Sequence, residues 1–77
     1  SPEIYEKINP ATGKGVVVLF SQHHGQYSYV TKHKPDKQYT APKGVSVSFD
    51  KEGYARVTAD VEYGKNEAKI VYFGINN

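Results

Sequence analysis

Residues 45–63 read VSVSFDKEGYARVTADVEY, and this stretch gives the clearest indication of the fold. Apolar and polar side chains alternate strictly over 45–49 and again over 54–63, which is the pattern of strands with one buried face. The intervening residues 50–53, DKEG, are typical of a hairpin connection because glycine can adopt the left-handed backbone conformation. The stretch therefore predicts a β-hairpin that buries one row from each strand: Val45, Val47, Phe49, Ala55, Val57, Ala59, Val61 and Tyr63.

Strand patterns also account for most of the remaining chain. Residues 3–8 are predicted as an edge strand with Ile4 and Ile8 inward, and 26–32 as a further strand. The runs 15–21 and 68–75 are apolar on both faces, so they are expected to lie centrally or to be covered on both sides. The Pro-containing segment 33–44 is predicted as one long loop. The sequence thus predicts an all-β fold, a small antiparallel β-sandwich or barrel of about six strands, with Phe73 and members of 16–20 in its core.

Length and composition argue against a nucleic-acid-binding protein and against a membrane-spanning one. With 77 residues and no cysteine, we expect a single domain over 1–77, taken from a larger protein and stabilised by apolar packing alone. The net charge of +2 is small, and Arg56 is the single arginine, which argues against a nucleic-acid partner. No apolar run reaches the roughly 18 residues of a membrane span, so none is expected.

The segment NPATGKG at 9–15 resembles a phosphate-binding loop at first sight. Such a loop needs glycine five positions before Gly13, then Ser or Thr after Lys14, then a helix. The chain has Ile8 and Gly15 at those positions and a valine-rich strand behind them. We interpret the segment as a turn between two strands and expect neither a nucleotide nor another cofactor to bind it.

Histidines and carboxylates give no convincing chemical site. His23 and His24 are adjacent and point apart on an extended chain, and His33 is distant, so we expect no metal. Asp60 and Glu62 share one strand face about 6–7 Å apart by strand rise, near the spacing of glycoside-cleaving carboxylate pairs. A solvated strand face explains them more simply, because a chain this short has little room for a water-excluding pocket. We therefore expect no catalytic residues.

Tyrosine is abundant, and two tyrosines on 26–32 suggest a contact surface. Tyr27 and Tyr29 share one face, while Val30 lies on the other, and only one face can point into a core. The pattern leaves both assignments open. If Val30 is inward, the two rings stand exposed side by side near the turn formed by His23 and His24, and exposed paired aromatics mark contact surfaces. The candidate contact surface is therefore Tyr27, Tyr29, His23 and His24.

The run INPATGKGVVVLFSQHHGQYSYVT, residues 8–31, resembles the C-terminal β-sandwich of glycoside hydrolases of the α-galactosidase kind. In outline the likeness extends to AKIVYFGI at 68–75 as the closing strand. The resemblance implies a secreted or periplasmic accessory domain without catalytic carboxylates, packed against a parent catalytic barrel. The alternative is a free-standing or tandem module that binds carbohydrate or a protein partner.

Overall fold

The structure is a computed structural model that describes residues 2–75. Ser1, Asn76 and Asn77, which the predicted domain 1–77 includes, lie outside the described residues. The predicted all-β fold is confirmed, and the described part of the chain contains no helix. Its strands are β1 (Glu3–Ile8), β2 (Gly15–Phe20), β3 (Gly25–Val30), β4 (Tyr39–Thr40), β5 (Val45–Phe49), β6 (Ala55–Val61) and β7 (Lys69–Phe73).

The strands form two antiparallel sheets. The four-stranded sheet has the order β1-β2-β7-β4, and the three-stranded sheet has the order β3-β6-β5. Their inner faces share one apolar interior, because Val17 and Val71 of the first sheet cluster with Ala55 and Val57 of the second. The chain is therefore a small β-sandwich.

The hairpin from residues 45–63 forms with the predicted register. Val47 pairs with Val57, and Phe49 pairs with Ala55, so apolar side chains from both strands face the other sheet. In the connecting turn, one carboxylate oxygen of Asp50 accepts the N–H groups of Gly53 and Tyr54, each at 2.9 Å. This local hydrogen bonding satisfies turn amides that have no partner in the β-ladder.

The buried core follows the strand alternation. Phe73 is fully buried, and Val57 is 1% exposed. Ile8 is buried and Ile4 packs against the core, as predicted for the edge strand β1. The inner residues of β5 are half-buried and pack against this core. The buried hydrophobic residues are Ile8, Val17, Leu19, Ala55, Val57, Ala59, Val61, Val71 and Phe73.

Two sequence predictions about strand extent are wrong. The long loop predicted over 33–44 contains β4, a two-residue strand in which Tyr39 pairs with Phe73. Tyr63, predicted to be inward, is 80% exposed because β6 ends at Val61 and the chain turns there. The N–H of Lys65 closes this turn on the carbonyl of Glu62 at 3.2 Å.

Candidate contact surface

The outer face of the four-stranded sheet is apolar. Its residues come from β2 and β7, which lie in the middle of the sheet, and cross-strand pairing brings them together. Val16 lies beside Tyr72, and Val18 lies beside Ile70. All are half-buried, and within residues 2–75 no element covers this side of the sheet. We call this surface the outer apolar face: Val16, Val18, Phe20, Ile70 and Tyr72.

Polar and aromatic side chains from the edge strands frame the outer apolar face. On β1, Glu3, Tyr5 and Lys7 lie beside the outward residues of β2, and Thr40 on β4 lies beside Tyr72. Tyr5 is 62% exposed, and its hydroxyl donates to the Glu3 carboxylate at 2.9 Å. This hydrogen bond, together with the negative charge of Glu3, raises the pKa of Tyr5. The margin therefore offers hydrogen-bonding groups around an apolar centre, as in protein–protein interfaces.

The outer face of the three-stranded sheet has the opposite character. Its side chains hydrogen-bond to one another across the strands: Gln26 donates to Asp60 at 3.0 Å, and the Arg56 guanidinium donates to Ser28 at 2.9 Å. We call it the outer polar face: Gln26, Ser28, Val30, Ser46, Ser48, Arg56, Thr58 and Asp60. A sheet face of this kind is typical of one that contacts water.

The structure decides between the two assignments for β3. Val30 is outward and 41% exposed, whereas Tyr27 and Tyr29 are half-buried and pack against the core. The condition for an exposed tyrosine pair, an inward Val30, is therefore not met, and the two rings form no exposed aromatic surface. The physical reason lies in their hydroxyl groups, which reach acceptors at the edge of the sandwich. Tyr27 donates to the carbonyl of His23 at 3.0 Å, and Tyr29 donates to Glu6 at 2.6 Å.

Glu6 links the two sheets through their edge strands β1 and β3. One carboxylate oxygen accepts the hydroxyl of Tyr29 and the N–H of Lys32, and the other accepts the N–H of His33 at 3.0 Å. These contacts tie the edge strand β1 to β3 and to the loop after it. Burial raises the pKa of Tyr29 to about 12, and the hydrogen bond and charge of Glu6 add to the shift. Charge-assisted bonds of this kind are short and strong, so Glu6 acts as a structural clasp.

Of the two turn histidines, His23 contacts Tyr27 through its backbone carbonyl, whereas the ring of His24 stacks on a different tyrosine. Both are exposed, and the ring of His24 stacks on Tyr63 with centroids 5.3 Å apart and planes 7° from parallel. The carbonyl of His23 accepts the hydroxyl of Ser21 at 3.1 Å, which shapes the turn. In the part of the chain that the structure describes, no three His, Asp or Glu residues converge as metal ligands would.

The residues from Asn9 to Lys14 form a hairpin turn between β1 and β2, as interpreted from the sequence. Asn9 accepts the N–H of Ala11 through its side chain, at 2.8 Å, and the N–H of Gly13 through its carbonyl, at 2.7 Å. Gly13 has φ of +77°, and a Cβ there would lie 2.6 Å from the backbone nitrogen of Asp36. Its glycine is thus explained by backbone conformation and close packing. That this turn binds no nucleotide stays a prediction.

Asp60 and Glu62 are both exposed, but they are not on one strand. Asp60 lies on β6, and Glu62 follows the end of that strand. The two residues contribute to the lining of one cleft at the end of the sandwich. Within residues 2–75, no helix is long and apolar enough to cross a membrane.

Comparison with protein-family models, with curated proteins and with solved structures finds no match to this chain. The resemblance to the C-terminal domains of α-galactosidase-like enzymes therefore remains a prediction from residues 8–31.

The outer apolar face was not among the residues selected from the sequence, although a signal for it was present. The runs 15–21 and 68–75 are apolar on both faces, and such runs are normally covered on both sides. The inward residues of each run pack against the other sheet, and no element within residues 2–75 packs against the outward ones. The aromatic pair on 26–32 was more conspicuous in sequence, but its rings are used inside the sandwich.

Proposed function

We propose that this chain is a non-catalytic accessory or interaction domain whose outer apolar face docks on another protein domain. The observation that supports the proposal most is the contrast between the two outer faces. The three-stranded sheet presents polar side chains that are hydrogen-bonded to one another, whereas the four-stranded sheet presents five apolar side chains from adjacent strands. An uncovered apolar sheet face costs solvation free energy, and a partner that covers it recovers that free energy.

The size of the outer apolar face favours a partner domain within the same polypeptide. From strand rise and strand spacing, the face covers about 200 Å². A stable complex between separate proteins buries roughly 800 Å² on each partner, so this face alone is too small to hold one. A covalently attached domain needs less area, because the linkage keeps the two surfaces at millimolar effective concentration. The resemblance in residues 8–31 makes a carbohydrate-active enzyme of the α-galactosidase kind the proposed parent protein.

A pair of matched substitutions tests this proposal in the complete product of the gene. Val18→Lys places an ammonium in the centre of the outer apolar face, and Thr58→Lys places the same group in the centre of the outer polar face. Because both positions face outward, both variants of the 77-residue chain should fold. In the complete protein, Val18→Lys should uncouple thermal unfolding of this domain from that of its neighbour, whereas Thr58→Lys should leave one joint transition.

The alternative function, a free-standing or tandem binding module, gives a different result. The domain would then unfold independently of its neighbours in the unmodified protein and equally in both variants. Independent unfolding of the unmodified domain would therefore contradict docking on a neighbouring domain. The coding sequence that flanks these 77 residues bears on the same choice, because a barrel-length catalytic region upstream supports the accessory function and repeated copies support the module.

A further inference from the structure

A cleft of about 460 Å³ lies at the end of the sandwich where β6 ends and β7 begins. It is separate from the outer apolar face, and its volume lies in the range of small-molecule sites, about 300–1,000 Å³. The charged residues that line it are three lysines and three acids: Lys43, Lys65, Lys69, Asp60, Glu62 and Glu67. Both carboxylates that the sequence pattern singled out are among them.

The lining of this end cleft is balanced in charge and mixed in hydrogen-bonding capacity. Ammonium groups only donate hydrogen bonds, and ionised carboxylates only accept them. A ligand that uses both kinds of group must present acceptors to the lysines and donors to the carboxylates, and a hydroxyl group supplies both from one oxygen atom. Since the charges of the lining sum to zero, the cleft selects against ligands with a large net charge of either sign. This chemistry matches a neutral, hydroxyl-rich molecule.

Lys69 supplies a donor at the floor of the end cleft. It belongs to the inward row of β7, beside Leu19, and it is half-buried. Its ammonium donates to the carbonyl of Lys43 at 3.4 Å, which is long for a hydrogen bond and easily exchanged. A Cβ on Gly44 would lie 3.7 Å from this nitrogen, and Gly44 has φ of +82°. The positive φ accounts for glycine at 44, and a Cβ there would make an ordinary van der Waals contact with the ammonium.

Asp60 is held in place in the lining of the end cleft, and an exposed aromatic residue follows the lining residue Glu62 in the chain. One oxygen of the Asp60 carboxylate accepts Gln26 at 3.0 Å, which fixes the side chain while the carboxylate keeps further acceptor sites. Tyr63 follows Glu62 directly in the chain, is 80% exposed and stacks on His24. Exposed aromatic rings next to convergent polar groups offer an apolar surface for the C–H faces of a sugar ring.

We propose that the end cleft is a binding site for a neutral saccharide. Lys69 and Lys43 act as donors, Asp60 and Glu62 act as acceptors, and Tyr63 contacts a sugar ring at the margin. The inference is independent of the docking function of the outer apolar face. A zwitterion such as an amino acid also matches a neutral lining, but the exposed aromatic pair favours a sugar.

Titration of the isotopically labelled 77-residue chain with D-galactose, D-glucose and D-mannose tests this proposal. At least one sugar should give saturable shifts of the amides of Gly44, Asp60, Lys65 and Lys69, with millimolar affinity. Asp60→Asn and Glu62→Gln should each weaken that affinity at least several-fold. Both residues are exposed, so these variants should fold. Glu52→Gln, in the turn between β5 and β6 at the other end of the sandwich, should leave the affinity unchanged.

Three results would overturn the saccharide site. The first is that none of the sugars shifts these amides. The second is that the shifts cluster on the outer faces of the sheets. The third is that glycine, added as a free amino acid, produces the same shifts with equal or higher affinity. Val18→Lys should bind the sugar as the unmodified chain does, so that a failure of the docking proposal and a failure of the saccharide site are observed separately.

Discussion

The two outer faces of this sandwich differ in the way that their strands are used. On the three-stranded sheet, β5 and β6 alternate between apolar and polar residues, and the outward polar side chains bond to one another. On the four-stranded sheet, β2 and β7 carry apolar residues at their outward positions as well as at their inward ones, apart from the inward Lys69. The outward polar side chains of the three-stranded sheet therefore satisfy one another, whereas the outward side chains of the four-stranded sheet form the apolar surface for which we propose a partner domain.

The largest difference in unfolding free energy is expected between substitutions at two neighbouring residues of β7. Phe73 is fully buried in the shared interior, and Tyr72 belongs to the outer apolar face. Phe73→Ala should cost about 3–5 kcal/mol, enough to unfold a domain of this size. Tyr72→Ala should cost about 1 kcal/mol, since its side chain is only half-buried. Chemical denaturation measures both, and equal losses would mean that the two faces of this sheet are equally buried.

A smaller difference in unfolding free energy is expected between substitutions on the inner and outer faces of the three-stranded sheet. Val57 is 1% exposed on the inner face, and Thr58 lies on the outer polar face. Val57→Ala should reduce the free energy of unfolding by roughly 1–3 kcal/mol, because it leaves a cavity in the core. Thr58→Ala should change it by less than about 0.5 kcal/mol. A loss of only a few tenths for Val57→Ala would place that residue in solvent.

Much of this fold could be predicted from the sequence, because strand alternation is a local signal. The hairpin of β5 and β6, the edge strand β1 and the two apolar runs followed from it. The short strand β4 could not be predicted, since Tyr39 and Thr40 pair with β7 from within a proline-containing segment. The outward position of Tyr63 could not be predicted either, because the alternation of apolar and polar residues continues beyond Val61, where the strand ends.

The candidate site was harder to predict because its residues depend on long-range partners. Tyr29 turns inward with the help of Glu6, which is 23 positions away in the chain, and no local pattern indicates that hydrogen bond. For the same reason the sequence could not decide between Val30 and the tyrosine face. The outer apolar face was visible as two separate apolar runs, but only the pairing of β2 with β7 joins them into one surface.

The hydrogen bond between Tyr29 and Glu6, which links the two sheets, predicts a loss of stability at alkaline pH. Burial and Glu6 raise the pKa of Tyr29 from 10.0 to about 12, so the folded state holds the phenol proton more tightly than the unfolded state does. Its contribution to stability should be complete below pH 10 and be lost as the pH rises toward 12. The loss should amount to roughly 1–2 kcal/mol.

Comparison with Tyr29→Phe isolates this contribution from the other groups that titrate at alkaline pH. The difference in unfolding free energy between the unmodified chain and Tyr29→Phe should shrink across this pH range. A difference that stays constant would show that the phenol is not held by the clasp. Glu6→Gln should lower the pKa of Tyr29 toward its ordinary value, because the substitution removes the carboxylate charge.

Side-chain footprinting with hydroxyl radicals tests whether a neighbouring domain covers the outer apolar face in the complete protein. The oxidation rates of Phe20, Tyr72 and Tyr5 are measured in the 77-residue chain and in the complete product of its gene. If the outer apolar face docks on a neighbouring domain, these rates should fall several-fold in the complete protein, while Val30 on the outer polar face should react equally in both. Equal rates for Phe20 and Tyr72 in the two forms would contradict the account, because the apolar face would then remain exposed to solvent in the protein that was expected to cover it.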